Sequence, residues 1–284
     1  MRYNTLFLLF TSIIVAQSDS QQIEIKTITK LNIPYAGKIT LSGNINATNG
    51  LYREEIESEY DRFYVRMMAG GNRKAGKIIN QFGEVLIMYD IADKEYASEM
   101  FEEIRNNSGK PTLKDVTSMT PGGGGNRSND SESNDSTDDE PEEQARPTVD
   151  RFISNDFEEI NGFKCRKITT RISRDDGFMQ MNEWVTTDTA IFIFVNNVEK
   201  NLIESYNGTY NKTPSSNDWI TQIDPDQSFE NISGEVVKST MEFLDDEGKS
   251  SFSMDMEILS AKRVPHDPSI FILPNTYKLV DELD

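Results

Sequence analysis

The chain reads as mainly β with a few helices, a single curved antiparallel sheet whose concave side the helices cover. Three observations carry this. Period-two alternation recurs along most of the chain, Gly- and Asn-containing turns interrupt it at strand-length intervals, and helical spacing occurs in only two places. The centre is the run Ile160–Thr170, which continues through Arg171–Arg174 and Asp175-Asp176-Gly177 into Phe178–Thr186: two β-favouring runs joined across an acidic, Gly-containing turn.

Taken in order, Met1–Ser20 has Arg2, an apolar run Leu6–Ala16 and the small-x-small pattern Ala16-Gln17-Ser18. This is the pattern of a cleaved export signal, residues 1–18, too short in its apolar run for the roughly 20 residues of a membrane span. The mature chain, 19–284, is expected as one soluble domain and a monomer, periplasmic or secreted, with no transmembrane segment and no lipid-anchor cysteine after the signal. Ile23–Ile45 alternates as strands, and the Gly and Asn of Asn44–Gly50 supply a turn. Leu51–Tyr60 and Arg62–Met68 continue the meander, and Lys77–Phe82 with Val85–Tyr89 flank Gly83-Glu84 as a hairpin. Tyr96–Arg105 places Ala97, Met100, Phe101 and Ile104 on one helical face and predicts a short helix.

Asn106–Pro147 differs in composition. It holds Gly122–Gly125, a Ser/Asn/Asp run and the acidic stretch Asp138–Glu143, with too little apolar surface to offset the entropy of ordering, so a disordered acidic loop is expected over about 106–148. After the central hairpin, Thr187 or Asp188 can cap a helix in which Ile191, Val195, Val198, Leu202 and Tyr206 recur at three- and four-residue spacing before Gly208. Phe192 and Phe194 widen its apolar face. Val236–Leu244 and Ser250–Leu259 form a second hairpin through Asp246-Glu247-Gly248-Lys249, with Val237, Met241, Phe243, Phe252, Met254, Met256 and Ile258 on the dry side and polar residues on the wet one.

A formal net charge of -19 argues against a nucleic-acid partner, because phosphate binding needs clustered cations. The single cysteine, Cys165, cannot form an internal disulfide and reads as a small buried apolar residue. The single histidine, His266, lies in a turn between Pro265 and Pro268; it removes multi-imidazole zinc sets and leaves little room for a Ser-His-Asp arrangement. Asp224–Glu235 has a calcium-loop spacing, but Phe229 stands where the template requires Gly. No catalytic residue, cofactor or metal is therefore expected.

Four patterns carry a resemblance: Tyr89-Asp90 with Lys94-Glu95-Tyr96; Ile160–Lys167; Glu183–Thr186; and Ser269–Tyr277. Together they resemble a bacterial envelope family catalogued as domain of unknown function 4412, similar to the LolA/LolB-like lipoprotein-carrier superfamily, across Ile23–Lys278 apart from the acidic loop. The resemblance implies an incomplete barrel with helices plugging its mouth and an apolar cavity that shields acyl chains. Met179, Met181, Trp184, Met241, Phe243, Phe252, Met254 and Met256 are the candidate lining, since thioethers adapt to irregular apolar guests; an ordinary packed core is the alternative. Ile191, Phe194, Val195 and Val198 are the candidates for a lid helix. The expected function is a non-enzymatic carrier of lipid or lipoprotein acyl chains, with an envelope protein-interaction module as the rival.

Overall fold

The computed structural model describes residues 21–69, 71–117, 147–175, 177–211, 216–223 and 229–283. The export signal, Gly122–Gly125, the acidic run and residues 224–228 of the calcium-like spacing lie outside the described residues.

Among these residues the chain forms one sheet. Its strands are β1 (Gln21–Ile33), β2 (Gly37–Thr48), β3 (Leu51–Tyr60), β4 (Arg73–Asn80), β5 (Val85–Asp90), β6 (Glu95–Met100), β7 (Thr148–Ile160), β8 (Phe163–Arg174), β9 (Gly177–Thr186), β10 (Glu235–Asp245), β11 (Ser250–Pro265) and β12 (Lys278–Leu279). Their spatial order is β12-β6-β5-β4-β3-β2-β1-β11-β10-β9-β8-β7. Every pairing is antiparallel except that of β12 with β6. The Asn161-Gly162 pair makes the β7–β8 turn, with φ of 50° and 85° that suit these two residue types.

The helices are α1 (Phe63–Met68), α2 (Phe101–Asn106), α3 (Ala190–Ser205) and α4 (Ser216–Ile223). Curvature follows from where α3 reaches. At its start Phe192 meets Phe163 of β8 with ring centroids 5.6 Å apart, and just past its end Tyr206 meets Phe101, which follows β6, at 5.2 Å. β8 and β6 are nine places apart in the sheet, about 43 Å if it were flat, and a 16-residue helix is only about 24 Å long. The sheet must curl around the helix. At the C-terminus of α3, Asn207 adopts φ 63° and the Gly208 N–H donates to the Ile203 carbonyl at 2.9 Å, closing the last turn.

Several sequence expectations need correction. Arg62–Met68 is not a strand: the Asp61 carboxylate accepts the Lys38 N–H at 3.0 Å at the end of β3, and the chain leaves the sheet as α1, which buries none of its residues. Tyr96–Arg105 is a strand followed by a helix, because Ala97 and Glu99 point inward at strand spacing before Phe101 and Ile104 do so at helical spacing. The first part of the stretch expected as a loop, up to residue 117, is ordered onto the fold. Residues 107–117 form a built strap: Glu99 accepts the Thr112 N–H at 2.8 Å, Leu113 and Val116 pack on the core, and Thr117 is buried. Thr189, with no side-chain cap bond, occupies the N-cap of α3 in place of Thr187 or Asp188. β7 starts at Thr148, where the expected loop ends, and is an edge strand with a register shift between Ile153 and Phe157.

Candidate ligand-binding face

Half of the concave face is filled by α3. Phe192, Val195, Val198 and Leu202 are buried against Ile23, Ile25, Ile79, Leu86 and Met88 of the sheet, and Phe101 and Ile104 complete the same cluster. Of the residues expected in a lid, Val195 and Val198 are part of this core, and Ile191 and Phe194 are half-buried against it. Apolar positions at three- and four-residue spacing made the helix, and the curl of the sheet gave it a dry seat.

A partly buried charge cluster pins this half. The Lys77 ammonium on β4 lies 2.9 Å from Glu54 on β3, 3.6 Å from Asp115 on the strap and 3.6 Å from Glu199 on α3, with the Tyr52 ring 5.6 Å away. Burial alone would lower the Lys77 pKa, but the three carboxylates hold it above its ordinary value. Burial pushes the Glu199 carboxyl up against the pull of Lys77, whereas at Asp115 Lys77 and Thr117 outweigh burial and hold the carboxyl down. One cation thus joins sheet, helix and strap.

The other half is finished differently. Register places Ile172, Met179, Phe243 and Phe252 in one cross-strand row over β8, β9, β10 and β11. Thr170, Met181, Met241, Met254 and Leu31 form the next, reaching β1, and Met256 faces Ser239 and Thr29 beside them. Met181 is buried with Val149, Ile172 and Ile220, and Met179 packs on this second cluster with Ile223 and Phe229. Met241, Phe252, Met254 and Met256 are only half-buried, and Phe243 is 39% exposed, its ring edge-on to Phe252 at 5.6 Å. Where these rows meet the hairpin turns lies a groove of about 390 Å³. Ile172, Phe178, Met179, Ile223, Phe243 and Leu244 line it, with Arg174, Asp245 and Ser251 as polar lining. That volume lies in the range of small-molecule sites.

Trp184 does not join the methionines. Successive strand residues point to opposite sides, so 184 alternates away from 179 and 181. Its indole lies between Lys167 at 5.0 Å and Lys238 at 5.2 Å and donates to Glu158 at 2.9 Å. Trp184 is half-buried against the cluster under α3, and the position in step with Met179 and Met181 is Glu183, buried and facing the charge of Arg151 on β7. Ile172 was missed although steps of two from Ile168 through Thr170 reach it; Ile223 belongs to α4, for which the sequence offers no clear periodic signal. Cys165 is fully buried and its thiol is pushed up by burial, away from the thiolate a nucleophile needs.

No family model and no curated protein matches the chain, so the envelope family of the four motifs stays a resemblance. Among solved structures, the chain is similar to an outer membrane lipoprotein-sorting protein domain from Vibrio parahaemolyticus, at 9% identity over 88% of each chain and a TM-score of 0.24. It is likewise similar to a LolA superfamily protein from Nitrosomonas europaea, at 9% identity over 90% of this chain and 91% of that one, also at 0.24. At that score neither likeness decides fold or function; the fold stands on the strand pairings above.

Proposed function

We propose that this chain is an exported, non-enzymatic binding protein that shelters an apolar chain, a lipid or the acyl part of a lipoprotein, on the Met- and Phe-bearing half of its concave face. The observation that carries the reading is the set Met241, Phe243, Phe252, Met254 and Met256, left half-exposed on one face and continuous with the groove. Contiguous apolar surface that a fold leaves wet marks an interaction site, and methionine thioethers mould to guests without a fixed shape. Each acyl methylene buried there contributes about 0.8 kcal/mol, so part of one chain suffices for useful affinity. In this mechanism α3 stays seated, held by its core contacts and Lys77, and α4, whose Ile223 lines the groove, is the element beside the opening.

Titration of the full chain with a fluorescent fatty acid tests this. The expected result is saturable uptake that Phe243→Asp abolishes while the circular dichroism spectrum is unchanged; absence of uptake by folded wild-type protein contradicts it. A second reading, a protein-interaction module, draws on β7, a sheet edge on which Phe152 and Phe157 are 67% and 56% exposed. That reading predicts an empty groove and loss of partner capture on charging β7.

A further inference from the structure

A second apolar surface stands at the end of the strands. Phe63, Met67 and Met68 of α1 are 70%, 66% and 82% exposed, Tyr64 is 45% exposed, and Tyr35 in the β1–β2 turn is 88% exposed. The surface is built: the Arg62 guanidinium donates to the Tyr35 carbonyl at 2.8 Å and to the Tyr64 hydroxyl at 3.1 Å, joining turn and helix. Arg66 sits 5.8 Å from the centre of the Phe63 ring, and the Gly71 N–H donates to the Arg66 carbonyl at 2.7 Å. Tyr35 also holds φ 65°, an uncommon conformation for a bulky residue, in presenting its ring to solvent.

None of the residues of α1 is fully buried, only Val65 and Arg66 are half-covered, and the fold leaves Phe63, Met67 and Met68 wet, so this apolar face suits another partner. Charge indicates which. Over residues 34–38 and 61–69 there are three cations, Lys38, Arg62 and Arg66, against one carboxylate, Asp61, in a chain of net charge -19. Aromatic and methionine side chains interspersed with arginine suit the headgroup layer of an anionic bilayer, where apolar burial and electrostatic attraction add. Position supplies the rest. The register Lys38–Asn32–Ser253–Glu242 puts this tip at the same end of the sheet as the groove-lining Phe243 and Ser251. The neighbouring β10–β11 turn carries Asp245, Asp246 and Glu247 against Lys249, which confines contact to the α1 side.

We propose that α1 and the β1–β2 turn dock the protein on the surface of an anionic lipid bilayer, with the groove opening beside it. The docking stands independently of what the groove holds. Flotation of the full chain with vesicles of phosphatidylcholine alone, or mixed with phosphatidylglycerol, tests it. The wild type is expected to float with the mixed vesicles and to release as salt rises. Phe63→Ser combined with Met68→Ser lowers partitioning by about a hundredfold and Arg66→Glu by about tenfold, since each removes buried apolar area or surface attraction. Both variants keep fatty-acid uptake, so a failed groove and a failed dock are told apart. Folded wild type that ignores mixed vesicles at low salt, or tip variants that bind them as well as wild type, overturn the proposal. So does a tip variant that only converts a dimer to a monomer, which gives the face to a second copy.

Discussion

Methionine occurs in both halves of the concave face, and its surroundings differ. Met88, beneath the reach of α3, is 4% exposed among Leu86, Ala97 and the helix; Met241, Met254 and Met256, on strands of the same sheet, stay half-wet. Both halves of the sheet carry apolar side chains on the inner surface, and one helix of 16 residues is too short to cover them all. Dryness is thus a property of the cover, and the half without that cover is where a guest can gain what α3 gains elsewhere.

The largest contrast is in stability. Leu202→Ala, at a site 1% exposed, is expected to cost about 2–5 kcal/mol of unfolding free energy, whereas Met254→Ala costs about 1 kcal/mol or less, because its side chain leaves water only in part. Urea denaturation of the two variants measures this, and equal losses would make the Met face an ordinary core.

A smaller effect separates the carboxylates around Lys77. Asp115, held below its ordinary pKa, contributes stability above its unfolded value that is lost as pH falls through the folded one. Glu199, pushed up by burial, has the opposite sign: stability grows as pH falls through its folded value toward the unfolded one. Asp115→Asn should therefore flatten the acid loss of stability, and Glu199→Gln should remove the gain just above it. Denaturation midpoints across the acid range check this, and parallel curves for both variants would break the assignment.

Alternation made most of the sheet legible. The bounds of β3 match the expected Leu51–Tyr60, alternation places Met241 opposite Met254 and Phe243 opposite Phe252 in the β10–β11 hairpin, and the three- and four-residue spacing of Val195, Val198 and Leu202 marked α3. What failed had conflicting local signals. Phe63, Val65 and Met67 alternate like a strand, but the turn at Asp61 takes them out of the sheet. Ala97 suits a strand or a helix, and only the cross-strand partner Met88 decides. Residues 107–117 look like solvated loop because the group that orders them, Glu99, is a distant acceptor of backbone N–H groups. Trp184 was chosen for its greasiness over Glu183, although the step of two from Met181 selects Glu183. How far α3 reaches across the sheet, and so which methionines stay wet, depends on the curl of the whole sheet and has no local sequence signal.

The Met- and Phe-bearing half of the concave face is open to an apolar chain, whereas the other half is occupied by α3. Methyl-labelled methionine NMR with a spin-labelled fatty acid tests it most directly. The account predicts strong broadening of Met179, Met241, Met254 and Met256, with Met88 left sharp. Broadening centred on Met88, or no selective broadening of the Met face by a fatty acid that saturates, would contradict it.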